Sequence, residues 1–342
     1  MNISQRSSIP TASPHRKRRA AAVIFPLLAV FSFLTALFFG SAEIDIAEAL
    51  RAFFTGDTAN TDLKILLYIR LPRALGAVFA GAALAVSGII LQAVLNNPMA
   101  APNLIGVNAG AGFFAILAMA LFPKLLAYLP LAAFLGALLA ALLIYAVSAV
   151  TGAGRITVTL VGVAVGSILT AGINTVKTLF PDSVYDVSGF LIGGLSSVNL
   201  KTILPAAAMI VPALFFALIF ARNLDALSLG EDVAQSLGIN VKYTRLLWLT
   251  LAAVLAGAAV SFAGLIGFVG LIVPHVMRKL IGNSHRHLIP VSIFGASAFL
   301  LIADTVSRTL FAPYELPVGI LLSLAGGPFF IFLILTERRG NR

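Results

Sequence analysis

The sequence predicts an all-α polytopic membrane protein of about ten transmembrane helices, with both termini in the cytoplasm. Three observations carry that prediction. Of 342 residues, 60% are hydrophobic and only 11% are charged, whereas roughly a quarter of a soluble domain is charged. There is too little polar surface here to cover a water-facing globule, so lipid must cover most of it. The apolar residues also fall in runs long enough to cross a bilayer at about 20 residues each. Finally, the net charge of +10 is gathered at the ends of those runs, which is the pattern of a topology signal. That placement excludes nucleic acid as the reason for the basic balance.

The expected spans are residues 21–40, 74–95, 105–122, 129–150, 157–180, 202–221, 246–263, 264–281, 291–312 and 317–336. The 29 glycines and 16 prolines fit this reading, because both residues are more frequent in membrane helices than in soluble ones. Several spans contain Gly or are flanked by Pro, which predicts short or broken helices lining protein or a water-filled cavity. Orientation follows from Lys and Arg. An even span count with the N-terminus inside places Arg6, Arg16, Lys17, Arg18, Arg19, Arg155, Arg222, Lys242, Arg245, Arg278, Lys279, Arg286, Arg338, Arg339 and Arg342 in the cytoplasm. The first outer loop holds Glu43, Asp45, Glu48, Asp57 and Asp62. The organisation is then a basic N-terminal tail (1–20), a membrane domain (21–336) with a long inner loop at about 222–242, and a short tail (337–342). The run after Arg16–Arg19 lacks a small-residue cleavage site and reads as a retained first helix.

The inner loop is the most informative segment. Ser228 can cap a short helix carrying Glu231 and Asp232 in its first turn, where the helix dipole favours acids. Gly238 can end it in the left-handed conformation. Val233, Ala234 and Leu237 then share one face, a knob suited to a partner's groove or a plain connector between two spans. At the inner end of the second span, Pro98 and Pro102 break the helix and Asn97 can satisfy the freed backbone groups. Arg70 and Arg73 lie just outside the same span on the outer face. There they can clamp carboxylates by bidentate hydrogen bonds or snorkel to lipid phosphates. Asp304 and Arg308, spaced i, i+4, can neutralise one another in low dielectric. His275, His285 and His287 read as structural or surface residues, since a lone histidine makes no metal site.

These segments resemble the FecCD-type permeases of ABC importers, the iron-chelate and cobalamin branch. The resemblance runs from Arg70-Leu-Pro-Arg73 through Gln92, Asn97-Pro98, Pro102 and Gly106 to Gly112. It resumes at Glu231–Gly238, at Gly267-Phe-Val-Gly-Leu-Ile-Val-Pro-His275, at Asp304–Arg308, at Glu315-Leu-Pro-Val-Gly319 and at Gly327-Pro-Phe-Phe330. The resemblance implies that Gly230, Glu231, Ala234, Leu237 and Gly238 form a coupling loop seated in an ATPase subunit. It implies that Arg70, Arg73 and Arg308 receive glutamates of an extracytoplasmic substrate-binding protein, and that Asn97, Pro98 and Met99 belong to a cytoplasmic gate. Met99 stands where the family usually has Leu, a replacement of similar bulk. Phe180–Ser197 resembles a re-entrant helix lining the outer vestibule. The implied assembly has two permease subunits, identical or paralogous, two ATPase subunits and a binding protein, set in the bacterial inner membrane.

Other function classes fit less well. No HExxH, no cysteine and no cluster of acids offers an enzyme its machinery, and no cofactor or metal is implied. No Walker motif is present, so the chain cannot bind ATP that way. A secondary transporter usually carries ionisable residues near mid-bilayer, and here charges sit near span ends. The expectation is an importer permease for ferric siderophores, with cobalamin or haem as alternatives in the same family and a secondary transporter behind them.

Overall fold

A computed structural model describes residues 14–122, 124, 128–150 and 155–340. Within them the chain is helical and contains no strand. The helices are α1 (Pro14–Phe38), α2 (Ile46–Thr55), α3 (Thr61–Lys64), α4 (Leu71–Val94), α5 (Val107–Leu121), α6 (Leu129–Val150), α7 (Arg155–Leu179) and α8 (Asp182–Ile192). They continue as α9 (Leu200–Ile219), α10 (Ala221–Ser228), α11 (Glu231–Ser236), α12 (Val241–Ala263), α13 (Val269–Ile281), α14 (His285–Thr309) and α15 (Val318–Gly340). Seven stretches among the described residues are long and apolar enough to cross a membrane, and Val107–Leu121 and Val318–Leu333 are shorter apolar helices. Each of the ten expected spans carries a helix. Residues 1–13 and 341–342 of the two expected tails lie outside the described residues.

Small residues set the core. Nearly every side chain of α4 is buried, packed among α14, α12, α13 and α9. A methyl on Gly81 would collide with the backbone of Ala296 on α14, and one on Gly88 with the backbone of Gly270 on α13. Such close approach is how helices gain van der Waals contact where lipid removes the hydrophobic drive between them. Hydroxyls tie the same helices, since Ser87 Oγ donates to Ala252 O (2.7 Å) and Ser297 Oγ to Val78 O (3.1 Å). The outer surfaces are the reverse: α1 exposes Val23, Leu27 and Phe31, α6 exposes Leu131, Leu135, Leu139 and Leu143, and α9 exposes Leu204, Val211 and Phe215. An apolar surface of this extent belongs in lipid.

Two elements depart from the sequence expectation. The second span is one helical stretch from Thr61 to Val94, so Arg70 and Arg73 lie inside it rather than just outside. It passes Pro72 because Ile65–Arg70 form a wider π turn, in which Leu71 N–H bonds to Leu66 O, five residues back. The second departure is α2, a helix in the first outer loop. Asp45 caps it by accepting from the N–H groups of Ala47 and Glu48, and Gly56 (φ 71°) ends it.

Candidate functional site

The inner loop folds as two short helices, α10 and α11, separated by Leu229 and Gly230. Ser228 does not cap the second of them. It closes α10, its hydroxyl donating to Asp225 O (2.7 Å), and Gly230 takes the capping position at φ 116°, a backbone state only glycine adopts freely. The other end follows expectation. Gly238 (φ 78°) donates to Gln235 O (2.9 Å) and Ile239 N–H donates to Ala234 O (3.0 Å), the paired bonds of a Schellman motif. Between these glycines α11 buries Ala234 against the bundle, while Val233 and Leu237 stand out, the latter 63% exposed beside Leu229 at 67%. Glu231 binds Arg245 of α12. The expected apolar face is therefore split, with its smallest member anchoring the helix and its larger members unpartnered among the described residues.

A second attachment holds this segment. Asp225 on α10 accepts from both the backbone N–H and the ring Nδ1 of His285, at 2.9 and 2.7 Å. Burial alone would raise the Asp225 carboxyl, but these hydrogen bonds outweigh it and hold it below the usual carboxylate range. The sequence reading treated His285 as a surface or structural residue. The chain signal it lacked was the partner, 60 residues away.

The turn after α4 is closed by its own polar groups. Asn97 N–H donates to Gln92 O (3.1 Å), and the Asn97 side chain accepts from Met99 N–H (2.9 Å). Pro98 is exposed and Met99 half-buried. Asn97 and Pro98 border an inner cleft of about 490 Å³ with Gln92, His275, Arg278 and Lys279. Of the three expected gate residues, Asn97 and Pro98 thus share a cleft with Ser228 and Leu229, and Met99 does not line it.

At the other end, the three arginines are buried, with exposures of 3% for Arg70, 5% for Arg73 and 3% for Arg308. Arg70 donates to the carbonyls of Leu37, Phe38 and Ala42. Arg73 holds Asp304 (Nε to Oδ2, 2.8 Å) and Glu315 (2.6 Å). Arg308 donates to Ala36 O and sits 3.7 Å from Asp304. Asp304 thus serves Arg73 first and its i+4 neighbour second. Glu315, which also accepts from Ser41, lies between α14 and α15. Burial would raise its carboxyl, and Arg73 and Ser41 more than reverse that and lower it.

The remaining feature is a face of α7. Ser167, Thr170, Ala171, Asn174, Thr175 and Thr178 are exposed along it. Part of this face, with Asn103 and Gly106, forms a shallow groove of about 490 Å³. The hydroxyls of Ser167, Thr170, Thr175 and Thr178 each donate to the carbonyl four residues earlier. The wall is polar, yet its hydroxyl donors are already spent. Beside it α8, 11 residues long and so about 16 Å, is too short to cross. Its Phe190 O accepts from Leu265 N–H, and Gly194 N–H, just past its end, donates to Ala263 O, which ties the segment to the connection between α12 and α13.

One bundle thus holds a short helix between two glycines, an Asn-Pro turn at a cleft and a set of buried arginines. The model of the FecCD transport family matches residues 27–336. The chain belongs to the FecCD transport family. Among its relatives are the hemin transport system permease HmuU of Yersinia pestis, 39% identical over 89% of this chain and 93% of that one, and the ferric enterobactin transport system permease FepD of Escherichia coli, 37% identical over 92% and 95%. The Fe(3+)-citrate import system permease YfmD of Bacillus subtilis is 34% identical over 93% and 96%. A solved inward-facing transporter described as of the metal-chelate ABC type superposes with a TM-score of 0.81 at 27% identity, covering 93% of this chain and 99% of that one. As a FecCD permease the chain is a multi-pass membrane protein and the transport subunit of an ABC importer. Membership implies an ATPase and a substrate-binding protein as partners.

Proposed function

We propose that this permease carries ferric-siderophore complexes into the cytoplasm, paired with a second permease subunit, identical or paralogous, above two copies of an ATPase. In this reading the chain crosses the membrane ten times with both termini inside, residues 21–336 form the permease, and 1–20 and 337–342 are cytoplasmic tails. The observation that carries it is α11: a helix fixed by glycines at both ends, anchored by Ala234, and offering Val233 and Leu237 to a groove outside the chain. ATP-driven closure of the ATPases displaces α11 through Gly230, Glu231, Ala234, Leu237 and Gly238, and that displacement opens or shuts the Asn97-Pro98-Met99 turn. The α7 face supplies one wall of the pathway, with the second subunit supplying the other.

Docking of the binding protein is assigned to the outer surface braced by Arg70, Arg73 and Arg308. Arg73 already holds Glu315, so an incoming glutamate meets it by taking that carboxylate's place. Supporting the cargo are the relatives named for enterobactin and citrate complexes of iron. The relative named for hemin favours haem as a second reading. A deletion strain is expected to grow poorly on its ferric siderophore as sole iron source while using ferrous iron normally. Normal growth on every ferric chelate, with loss of haem or cobalamin uptake, would move the cargo assignment to that compound.

A further inference from the structure

The inner end of α14 is not capped by its own chain neighbour. Ser284 stands at the capping position and makes no side-chain bond to the helix. The exposed donors of a helix N-terminus need partners, and an anion there is favoured by the helix dipole. Asp225 fills that role from another element: its carboxylate takes the first backbone N–H of α14 and the ring of the first residue at once. Asp225 lies on α10, which runs directly into α11 and packs on both α4 and α14.

The far end of the same helix carries Asp304 into the guanidinium of Arg73 and Arg308 onto Ala36 O. Between these two attachments α14 is one helix of 25 residues, about 37 Å long, locked to α4 by the Gly81–Ala296 approach and the Ser297–Val78 bond. Pro290 interrupts the backbone ladder one turn beyond His285, so a displacement applied at His285 acts first on the opening turn of α14 and reaches the rest of the helix through its packing on α4.

We infer that Asp225 is the joint through which the α10–α11 segment drives α14, and so a positioning residue for transport rather than a fold anchor. This inference rests on the proposed role of α11. It differs from the α11 contact itself, because Asp225 is engaged with His285 of its own chain: it determines whether a push received at α11 is delivered to α14. Asp225 contributes by acting as an acceptor, so an amide at this place retains both hydrogen bonds while losing the charge.

The test uses the complete complex in proteoliposomes, with permease, ATPase and binding protein, and reads three quantities together: ATP hydrolysis, its stimulation by the binding protein, and chelate taken up per ATP. Asp225→Ala is expected to keep basal hydrolysis within about twofold and to lose about tenfold in uptake per ATP, the weight of one charge-assisted hydrogen bond. Asp225→Asn should recover most of that loss. His285→Ala, which leaves the backbone bond in place, should fall between them, and Asp225→Ala with His285→Ala together should be no worse than Asp225→Ala alone. Wild-type uptake per ATP in Asp225→Ala overturns the inference. So does a parallel loss of basal hydrolysis and assembly in both Asp225→Ala and Asp225→Asn, which would make Asp225 a fold anchor. If the wild-type complex itself shows no response of hydrolysis to the binding protein, it is the α11 reading that fails.

Discussion

At the outer end of the bundle Arg70, Arg73 and Arg308 are buried and each holds partners from its own chain. At the inner end Leu229, Val233 and Leu237 stand exposed, and Arg278 and Lys279 face an open cleft. The outer charges are thus largely neutralised within one chain, as buried charges must be, and that end can hold its shape alone. The inner end leaves Leu229, Val233 and Leu237 uncovered among the described residues. In the proposed assembly the outer face is a brace and the inner face half of an interface.

The sharpest way to break this comparison is at Asp304. Asp304→Ala leaves Arg73 and the buried Arg308 with Glu315 as the one carboxylate of this cluster. Losing one partner of a buried pair costs about 3–5 kcal/mol, so thermal unfolding in detergent should drop steeply and membrane yield with it. A wild-type melting temperature would mean that the outer arginines are not held from within.

Gly238→Val tests the inner end. Nothing lies within 4 Å of the position a side chain would take, so its cost is conformational: a β-branched residue at φ 78° is strained by about 1–2 kcal/mol. That strain falls on α11 alone. Insertion and melting should stay near wild type, while uptake is lost and hydrolysis no longer responds to the binding protein. Gly238→Asn, which tolerates this backbone better, should retain part of the activity. Normal uptake by the valine variant would remove α11 from the coupling path.

The boundary between brace and docking site can be sharpened at Glu315. Glu315→Gln frees one side of Arg73, so a binding protein that uses Arg73 should dock a few-fold more tightly at low ionic strength, with the gain shrinking as salt screens it. Unchanged docking would leave Arg73 as a brace only. The smallest effect is that of acid. Because the Glu315 carboxyl is held below its ordinary value of about 4.3, its contribution is present above that value and is lost as pH falls through the lowered one. Unfolding profiles of wild type and Glu315→Gln should therefore converge as the solution is acidified below about pH 4.3, and parallel curves would show that the pair adds nothing.

What could be read in advance was whatever the chain encodes locally. Apolar runs mark the spans because each helix must satisfy its backbone within itself, and Gly238 marks a helix end because one residue's φ decides it. Pairings between distant segments were not legible. Arg73 with Glu315 and Asp225 with His285 join residues 242 and 60 positions apart, and nothing in either neighbourhood names the other. Ser228 misled for a related reason: two turns offered it a backbone partner, and the choice was made by Gly230. The π turn before Pro72 was equally hidden, since a proline ordinarily marks the start of a helix.

The hydroxyl face of α7 has a consequence for who chooses the cargo. If α7 lines the pathway as proposed, a surface whose serine and threonine donors are committed to their own helix offers a passing chelate few strong contacts, though it keeps the amides of Asn103 and Asn174. On that reading much of the choice of what enters lies upstream, with the receptor that delivers it, and a change of receptor would re-address the same permease to a new iron source.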